Sequence, residues 1–214
     1  MKKEEWIHKF IRLFWIFIIG SVIGYIVEMI VGFVQNGHFV SRQGLLFGPF
    51  AQVYGLGILA YYFVVPKING GNLKIFFVTM VLGGIVEYVC SYFQEFLFGT
   101  ISWDYSHLWF NIHGRTSLLH CIYWGIGGIL FMKYVMPLVK NIEKMIRNNY
   151  FRTITALFAI FMMFNIAVSS MAAARQEERS RQIAASNNID VFFDKYYSDE
   201  IMNTIYENKI EVKR

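Results

Sequence analysis

Five long apolar runs, separated by short polar stretches, set the hydrophobic pattern of this chain. A helix needs roughly 20 predominantly apolar residues to cross the hydrocarbon core of a bilayer. The runs therefore predict transmembrane helices at about residues 10–34, 45–65, 74–98, 116–135 and 153–173. Pro66 and Pro137 follow the second and fourth runs, where they are expected to end the helices. The pattern predicts an all-α integral membrane protein whose transmembrane domain covers residues 1–173.

Residues 174–214 form a polar C-terminal tail with apolar positions at helical spacing. These positions are Ile189, Phe192, Tyr196, Ile201 and Ile205. A stripe of this kind on an otherwise polar segment is typical of an amphipathic helix. We expect the helix to lie on the membrane or on the protein.

Two sequence matches in the same order predict an internal duplication. GYIVE at 24–28 matches GGIVE at 83–87, and residues 57–66 match residues 128–137, which also end in proline. The copies cover about 10–66 and 74–137, so two spans separate them and both keep one orientation. That arrangement is a parallel repeat, with a pseudo-twofold axis near the membrane normal. Chance similarity between apolar helices is the alternative, and two ordered matches favour duplication.

Spans one and three each carry a polar stripe with a glutamate inside it. The stripes are Ser21, Tyr25, Glu28, Gly32 and Gln35 on span one, and Thr79, Gly83, Glu87, Ser91 and Gln94 on span three. These spacings lie on one face of a helix. Ionisable side chains at membrane depth are costly and usually face a protein interior or a water-filled cavity. The stripes either hold helices together or line a binding site.

Arg42 and Arg115 come from the two connections that precede spans two and four, so both can reach the glutamates. A guanidinium offers a planar fork that matches a carboxylate. We predict a buried cluster of Glu28, Arg42, Glu87 and Arg115, with Asp104 at its rim. An ion-pair network that only sets helix register would use the same residues.

The composition agrees with a membrane protein, because 56% of the residues are hydrophobic and 16% are charged. Soluble domains carry about 25% charged residues. The net charge of +5 is no sign of nucleic-acid binding, since the basic residues cluster at the membrane edges. The partner that the composition predicts is the lipid bilayer.

Lysine and arginine set the predicted orientation, because they are enriched in short cytoplasmic loops. They cluster before the first span, in the turn at 66–74 and in the connection at 140–152. Arg42 and Arg115 are the single basic residues of the two opposite connections. We therefore expect a plasma-membrane protein with a cytoplasmic N-terminus and, after five spans, an extracytoplasmic C-terminus.

No motif identifies a catalytic residue or a cofactor, and none is predicted. His113, His120 and Cys121 do not have the spacing of a zinc site. The sequence contains no GxxxxGK[ST] phosphate loop, so the chain is not an ATPase of that type. These observations favour a protein that is not itself an enzyme.

Two motifs resemble signatures of a known family. RQGLLFGPF at 42–50, followed by Tyr54-Gly55, and WDYS at 103–106, followed by FNIHGR at 110–115, are similar to those of the type IV ABC-transporter membrane proteins, the CmpB-like permeases. The resemblance covers roughly residues 10–180. It implies a permease that needs a separate nucleotide-binding subunit, and the small size suggests a homo-oligomer. The second motif adds Asn111 and His113 to the candidate binding residues.

Three functions stay open at this point. The first is a permease subunit that moves a small solute, which the repeat and the buried charges favour. The second is a membrane-embedded enzyme acting on lipid or cell-envelope precursors, suggested by the polar residues between 104 and 115. The third is a non-catalytic membrane partner or regulator, whose polar faces only hold helices together.

Overall fold

A computed structural model describes residues 2–212, most of which are helical. The α-helices are α1 (Lys2–Asn36), α2 (Gln52–Val64), α3 (Asn72–Phe98), α4 (Leu118–Leu130), α5 (Met136–Met145), α6 (Asn149–Ser180), α7 (Asn188–Tyr196) and α8 (Asp199–Ile205). A 3-10 turn at Val65–Lys67 extends α2, and a π-helical segment at Phe131–Val135 joins α4 to α5. The strands are β1 (Thr100–Ile101), β2 (Asn111–Ile112), β3 (Thr116–Ser117) and β4 (Ile210–Glu211). They form two antiparallel pairs, β1–β4 and β2–β3.

Four helices of the described region are long and apolar enough to cross a membrane. They are Lys3–Asn36, Asn72–Phe98, Leu118–Met145 and Asn149–Ser180. The prediction of a helical membrane protein is therefore confirmed. With 13 residues, α2 is shorter than a spanning helix, so the count of five spans and the duplication stay predictions.

The third of these helices, Leu118–Met145, contains the predicted fourth span and continues past the predicted end of that span at residue 135. Proline has no N–H and crowds the preceding turn. Here Pro137 lies in the first turn of α5, directly after the π-helical segment. The wider turn lets the chain accommodate Pro137 without ending the helix.

Neighbouring helices in the sequence pack side by side, in the order α1, α2, α3, α4. Helix α6 contacts α1 and α3 across this layer. Small residues permit close approach between α1 and α2. A Cβ atom added to Gly20 would lie only 3.1 Å from the Cα atom of Gly55. The largest buried apolar cluster joins the last three helices of the layer, through Tyr61, Val65, Ile75, Trp124, Phe131 and Val135.

The chain connections gather at two opposite ends of the helices. At one end the N-terminal region meets the α5–α6 region, where Arg152 pairs with Glu4 at 2.8 Å. At the other end Ser41 Oγ donates to the Ile205 carbonyl at 2.6 Å, and β1 pairs with β4. The first and third connections and the C-terminal tail therefore share one end.

Residues 39–51, the irregular segment, replace the expected first turns of the second span. Gly48 has φ +86°, a conformation that glycine adopts readily, and Pro49 follows it. The Phe47 N–H donates to Asn165 Oδ1 of α6 at 3.2 Å, and the Phe47 carbonyl accepts from Asn165 Nδ2 at 2.6 Å. Ser169 Oγ of the same helix accepts from the Leu46 N–H at 2.9 Å. Non-helical backbone at membrane depth is tolerated where protein groups satisfy it in this way.

The polar tail folds as two short helices, α7 and α8, on the end of α6. Arg175 is 4% exposed and donates two hydrogen bonds to Asp194, at 2.9 Å each. These donors lower the pKa of Asp194 to about 2. Phe193 and Met202 are the buried apolar contacts of the tail.

Most of the predicted apolar stripe of the tail stays exposed rather than packing on the protein. Ile189 is 54% exposed and Phe192 is 47% exposed. The protein-facing side of α7 is instead set by Phe193 and by the ion pair of Asp194. That this stripe lies on the membrane stays a prediction.

Candidate functional site

The polar stripe of α3 faces the protein interior, as predicted. Thr79, Gly83, Glu87 and Ser91 are all buried. Glu87 is 6% exposed, although it lies in the middle of a helix that is apolar enough to span a membrane. A carboxylate in this position requires hydrogen-bond donors or a neutralising charge.

Two hydroxyl groups provide those donors. Tyr105 Oη donates to Glu87 Oε1 at 3.1 Å, and Thr116 Oγ1 donates to Glu87 Oε2 at 2.7 Å. Tyr105 stacks on His120 with a ring-centroid distance of 3.7 Å. Burial raises the pKa of Tyr105 far above its ordinary value, and the neighbouring Glu87 raises that pKa further. Tyr105 therefore stays protonated and remains a donor to the carboxylate.

A short hairpin in the connection between α3 and α4 positions Thr116. Its strands β2 and β3 pair Ile112 with Thr116. The turn places His113 at φ +53° and Gly114 at φ +68°, left-handed conformations that a tight hairpin requires. Asn111 closes the turn, because its Oδ1 accepts from the Gly114 N–H at 3.0 Å.

The other polar candidates of this connection also have local partners. Asp104 is exposed and accepts from the N–H and the hydroxyl of Ser106, at 2.9 Å and 3.0 Å. His113 Nδ1 lies 2.9 Å from Tyr88 Oη. Asp104, Asn111 and His113 thus shape the loop that covers Glu87, and none of them touches its carboxylate in the contacts described.

Glu28 of α1 has a comparable hydroxyl partner on α2. Tyr54 Oη donates a hydrogen bond to Glu28 Oε1. The Tyr54 ring lies directly over Gly24, and the Trp124 ring lies directly over Gly83. The two rings stack on each other at 5.3 Å.

This stacked pair occupies the space between the two polar stripes. The pair joins the face of α1 that carries Gly24 to the face of α3 that carries Gly83. The two predicted glutamates lie one helical turn beyond these glycines, and each has a neutral hydroxyl partner.

The two predicted arginines have different environments. Arg115 forms an ion pair with Glu95, which lies eight residues beyond Glu87 on α3. It also donates a hydrogen bond to Ser91 Oγ at 3.2 Å. Its guanidinium also lies 5.6 Å from the ring centroid of Tyr92. The ion pair that the structure describes for Arg115 is therefore with Glu95, and not with the predicted Glu87.

Arg42 lies beside α1, next to Gly32 and one turn beyond Glu28. Its Nε is buried and has no hydrogen-bond partner among residues 2–212. No ion pair joins Arg42 to Glu28 within the same range.

Comparison with known proteins gives one family. The family described as "Putative ABC-transporter type IV" matches residues 15–170. The chain belongs to this family. No curated protein and no solved structure matches it.

Both motifs that resemble signatures of this family contribute partners to the glutamates. The first runs through the irregular segment to Tyr54, the partner of Glu28. The second contains Tyr105 and leads to Thr116, the partners of Glu87. The family match covers all the residues that hold the two carboxylates, whereas α7 and α8 lie beyond it.

The sequence predicts the two glutamates and none of the hydroxyl groups that bind them. Tyr54 and Tyr105 stand inside the motifs, which was the only available signal for them. Thr116 and Glu95 carried no signal, because each meets its partner through the turn geometry of the third connection.

Proposed function

We propose that this chain is the permease subunit of an ABC-type transporter and moves a small, positively charged solute past Glu28 and Glu87. The observation that carries the proposal is Glu87, a buried carboxylate in an apolar spanning helix, held by two neutral hydroxyls. Intramembrane ionisable residues mark substrate or ion pathways in many membrane proteins.

The nature of the partners supports a cationic solute. Tyrosine and threonine hydroxyls orient a carboxylate without cancelling its charge, whereas a paired arginine would cancel it. Arg115 is paired with Glu95 and is thus removed from this role.

A separate nucleotide-binding subunit is the partner that this proposal requires. The chain has no phosphate loop of its own, and membership of an ABC-transporter family favours such a subunit. We propose that two copies of the chain assemble with it, since one chain supplies few helices for a complete pathway.

The proposed topology has five passes in the plasma membrane, with the N-terminus in the cytoplasm. Helix α2, with the irregular segment before it and the 3-10 turn after it, makes the short second pass. This is supported by the position of the first connection, the third connection and the tail at one end of the helices. The proposed duplication is supported by the equivalent packing of Tyr54 on Gly24 and of Trp124 on Gly83.

The enzyme alternative has one contact in its favour, between Ser117 and His120. Ser117 Oγ lies 2.9 Å from His120 Nδ1. However, Ser117 is 1% exposed, and its hydroxyl also caps α4 by accepting from the His120 N–H. A buried capping serine cannot reach a substrate, so the geometry favours the permease.

Affinity purification from native membranes tests the proposal. Mass spectrometry should find a nucleotide-binding protein with both wild type and Glu87→Gln, and a bound small cation with wild type. Loss of the carboxylate charge should lower the retained cation roughly tenfold, the effect of about 1.4 kcal/mol. Glu200→Gln, at an exposed position of α8, is the control. Absence of a nucleotide-binding protein, or equal retention of the cation by Glu87→Gln, would contradict the proposal.

A further inference from the structure

A cavity of about 320 Å³ lies between the N-terminal part of α1 and the C-terminal end of α2, far from Glu28 and Glu87. Its lining consists of Glu5, His8, Lys9, Arg12, Leu13, Tyr62 and Phe63. The volume is near the lower limit of ligand cavities, about 300–1,000 Å³. It suits a small polar group and not a whole lipid molecule.

The lining combines two cationic side chains with a single carboxylate. Arg12 Nη1 donates to Tyr62 Oη at 3.1 Å. Arg12 Nε forms an ion pair with Glu143 at 3.2 Å, but it makes no hydrogen bond with any group of residues 2–212, and no described contact uses Nη2. A guanidinium has five N–H donors in a fork that matches a phosphate. Lys9 adds a second charge to the same cavity, and Glu5 is its acidic group.

The position of the cavity is that of a membrane boundary. The predicted first span begins near residue 10, and α2 ends next to Pro66. Leu13 follows Lys9 by one helical turn, and Phe63 is 44% exposed at the opposite wall. A lining that combines charged and apolar side chains fits a headgroup whose acyl chains continue along the helices.

We propose that this cavity binds the headgroup of a phospholipid that carries a hydrogen-bond donor beyond its phosphodiester. The phosphodiester accepts from Arg12 and Lys9. The donor, a glycerol hydroxyl in phosphatidylglycerol or an ammonium in phosphatidylethanolamine, binds Glu5. Phosphatidylcholine has a phosphodiester of the same charge and no such donor, so the cavity discriminates against it.

Native mass spectrometry of the delipidated full chain in detergent tests this. Phosphatidylglycerol and phosphatidylethanolamine should bind with roughly tenfold lower Kd than phosphatidylcholine, as one charge-assisted hydrogen bond allows. Lys9→Gln and Arg12→Gln should weaken both lipids by a similar factor. Glu5→Ala should remove most of the preference over phosphatidylcholine.

Lys67→Gln is the matched control, because Lys67 is an exposed lysine at the same end and outside the cavity. If Arg12→Gln does not fold, since Arg12 also contacts Tyr62, Lys9→Gln carries the test alone. Equal binding of the three lipids, or an unchanged Kd in Lys9→Gln, would overturn the proposal. Competition by free glycerol 3-phosphate as strong as that by phosphatidylglycerol would point to a soluble ligand instead. Preferential binding of a glutamate-rich peptide would assign the cavity to a protein partner, and either result would also overturn the lipid.

Discussion

At the scale of single residues, the environment of Glu87 depends on two hydroxyls that come from one loop. Tyr105 is 18 positions from Glu87 in the sequence and Thr116 is 29 positions away. The loop therefore sets the position of the carboxylate as much as α3 does. Removing either donor leaves a buried carboxylate oxygen with one partner fewer, which is costly in an apolar environment.

Thr116→Val should destabilise the folded protein by about 1–3 kcal/mol, because valine keeps the shape and removes the donor to Glu87. Thermal unfolding of the purified protein in detergent measures the effect. Thr153→Val, at an exposed position of α6, is the matched control and should change stability by less than about 0.5 kcal/mol. Equal stability of the two variants would show that the hydroxyl of Thr116 does not hold the carboxylate.

The sequence predicts the glutamates and their burial because polar residues at helical spacing in an apolar span can face only the protein. It does not predict their partners. Arg115 is an electrostatically reasonable partner for Glu87, yet it pairs with Glu95, eight residues further along α3. Which acid an arginine meets is decided by the direction in which a connection leaves its helix.

At the scale of elements, the irregular segment shows where hydrophobicity misleads. Residues 45–65 are apolar enough to predict one continuous helix, but Gly48-Pro49 stands inside the run. The chain is non-helical up to Ala51, and its polar backbone is satisfied by Asn165 and Ser169. These residues are more than a hundred positions away in the sequence, so no local pattern could indicate the contact.

Asn165→Ala should leave the N–H and the carbonyl of Phe47 without their partner. Each unsatisfied buried group costs roughly 1–3 kcal/mol, so the irregular segment should loosen. Protease susceptibility and hydrogen exchange of residues 39–51 measure the change. Asn149→Ala, at an exposed position of the same helix, serves as the control. Unchanged protection of the segment in Asn165→Ala would contradict the role of this side chain.

The docking of α7 should weaken in acid. The pKa of Asp194 is about 2 in the folded protein, and an unperturbed aspartate has a pKa of about 3.9. A lowered pKa stabilises the docked tail above pH 3.9, and the contribution is lost as the pH falls towards 2. Pepsin cleavage between residues 181 and 205 should therefore accelerate over this range.

Asp194→Asn provides the reference for that experiment, because asparagine has no charge to lose. The cleavage rate of wild type relative to Asp194→Asn should be low at pH 5 and approach one near pH 2. A ratio that does not change with pH would show that the Arg175–Asp194 pair does not hold the tail.

At the scale of the whole molecule, the ends of the helices define a topology that can be labelled. In a cysteine-free background, single cysteines at Asn36 and His107 should react with an impermeant thiol reagent in intact cells. Cysteines at Asn69 and Asn148 should react only after permeabilisation. They lie in connections whose clustered lysine and arginine residues favour the cytoplasmic side. The opposite pattern of labelling would reverse the orientation of the protein.

The most direct test of the permease with a glutamate site is ATP-driven flux across a vesicle membrane. The chain and its co-purifying nucleotide-binding subunit are reconstituted with the cation found in the purified complex. Wild type and Glu200→Gln should move the cation only when ATP is present. Glu87→Gln should assemble to the same extent, with flux reduced roughly tenfold or more, as loss of about 1.4 kcal/mol or more predicts. Flux in Glu87→Gln equal to that of wild type would contradict a role for the carboxylate in transport.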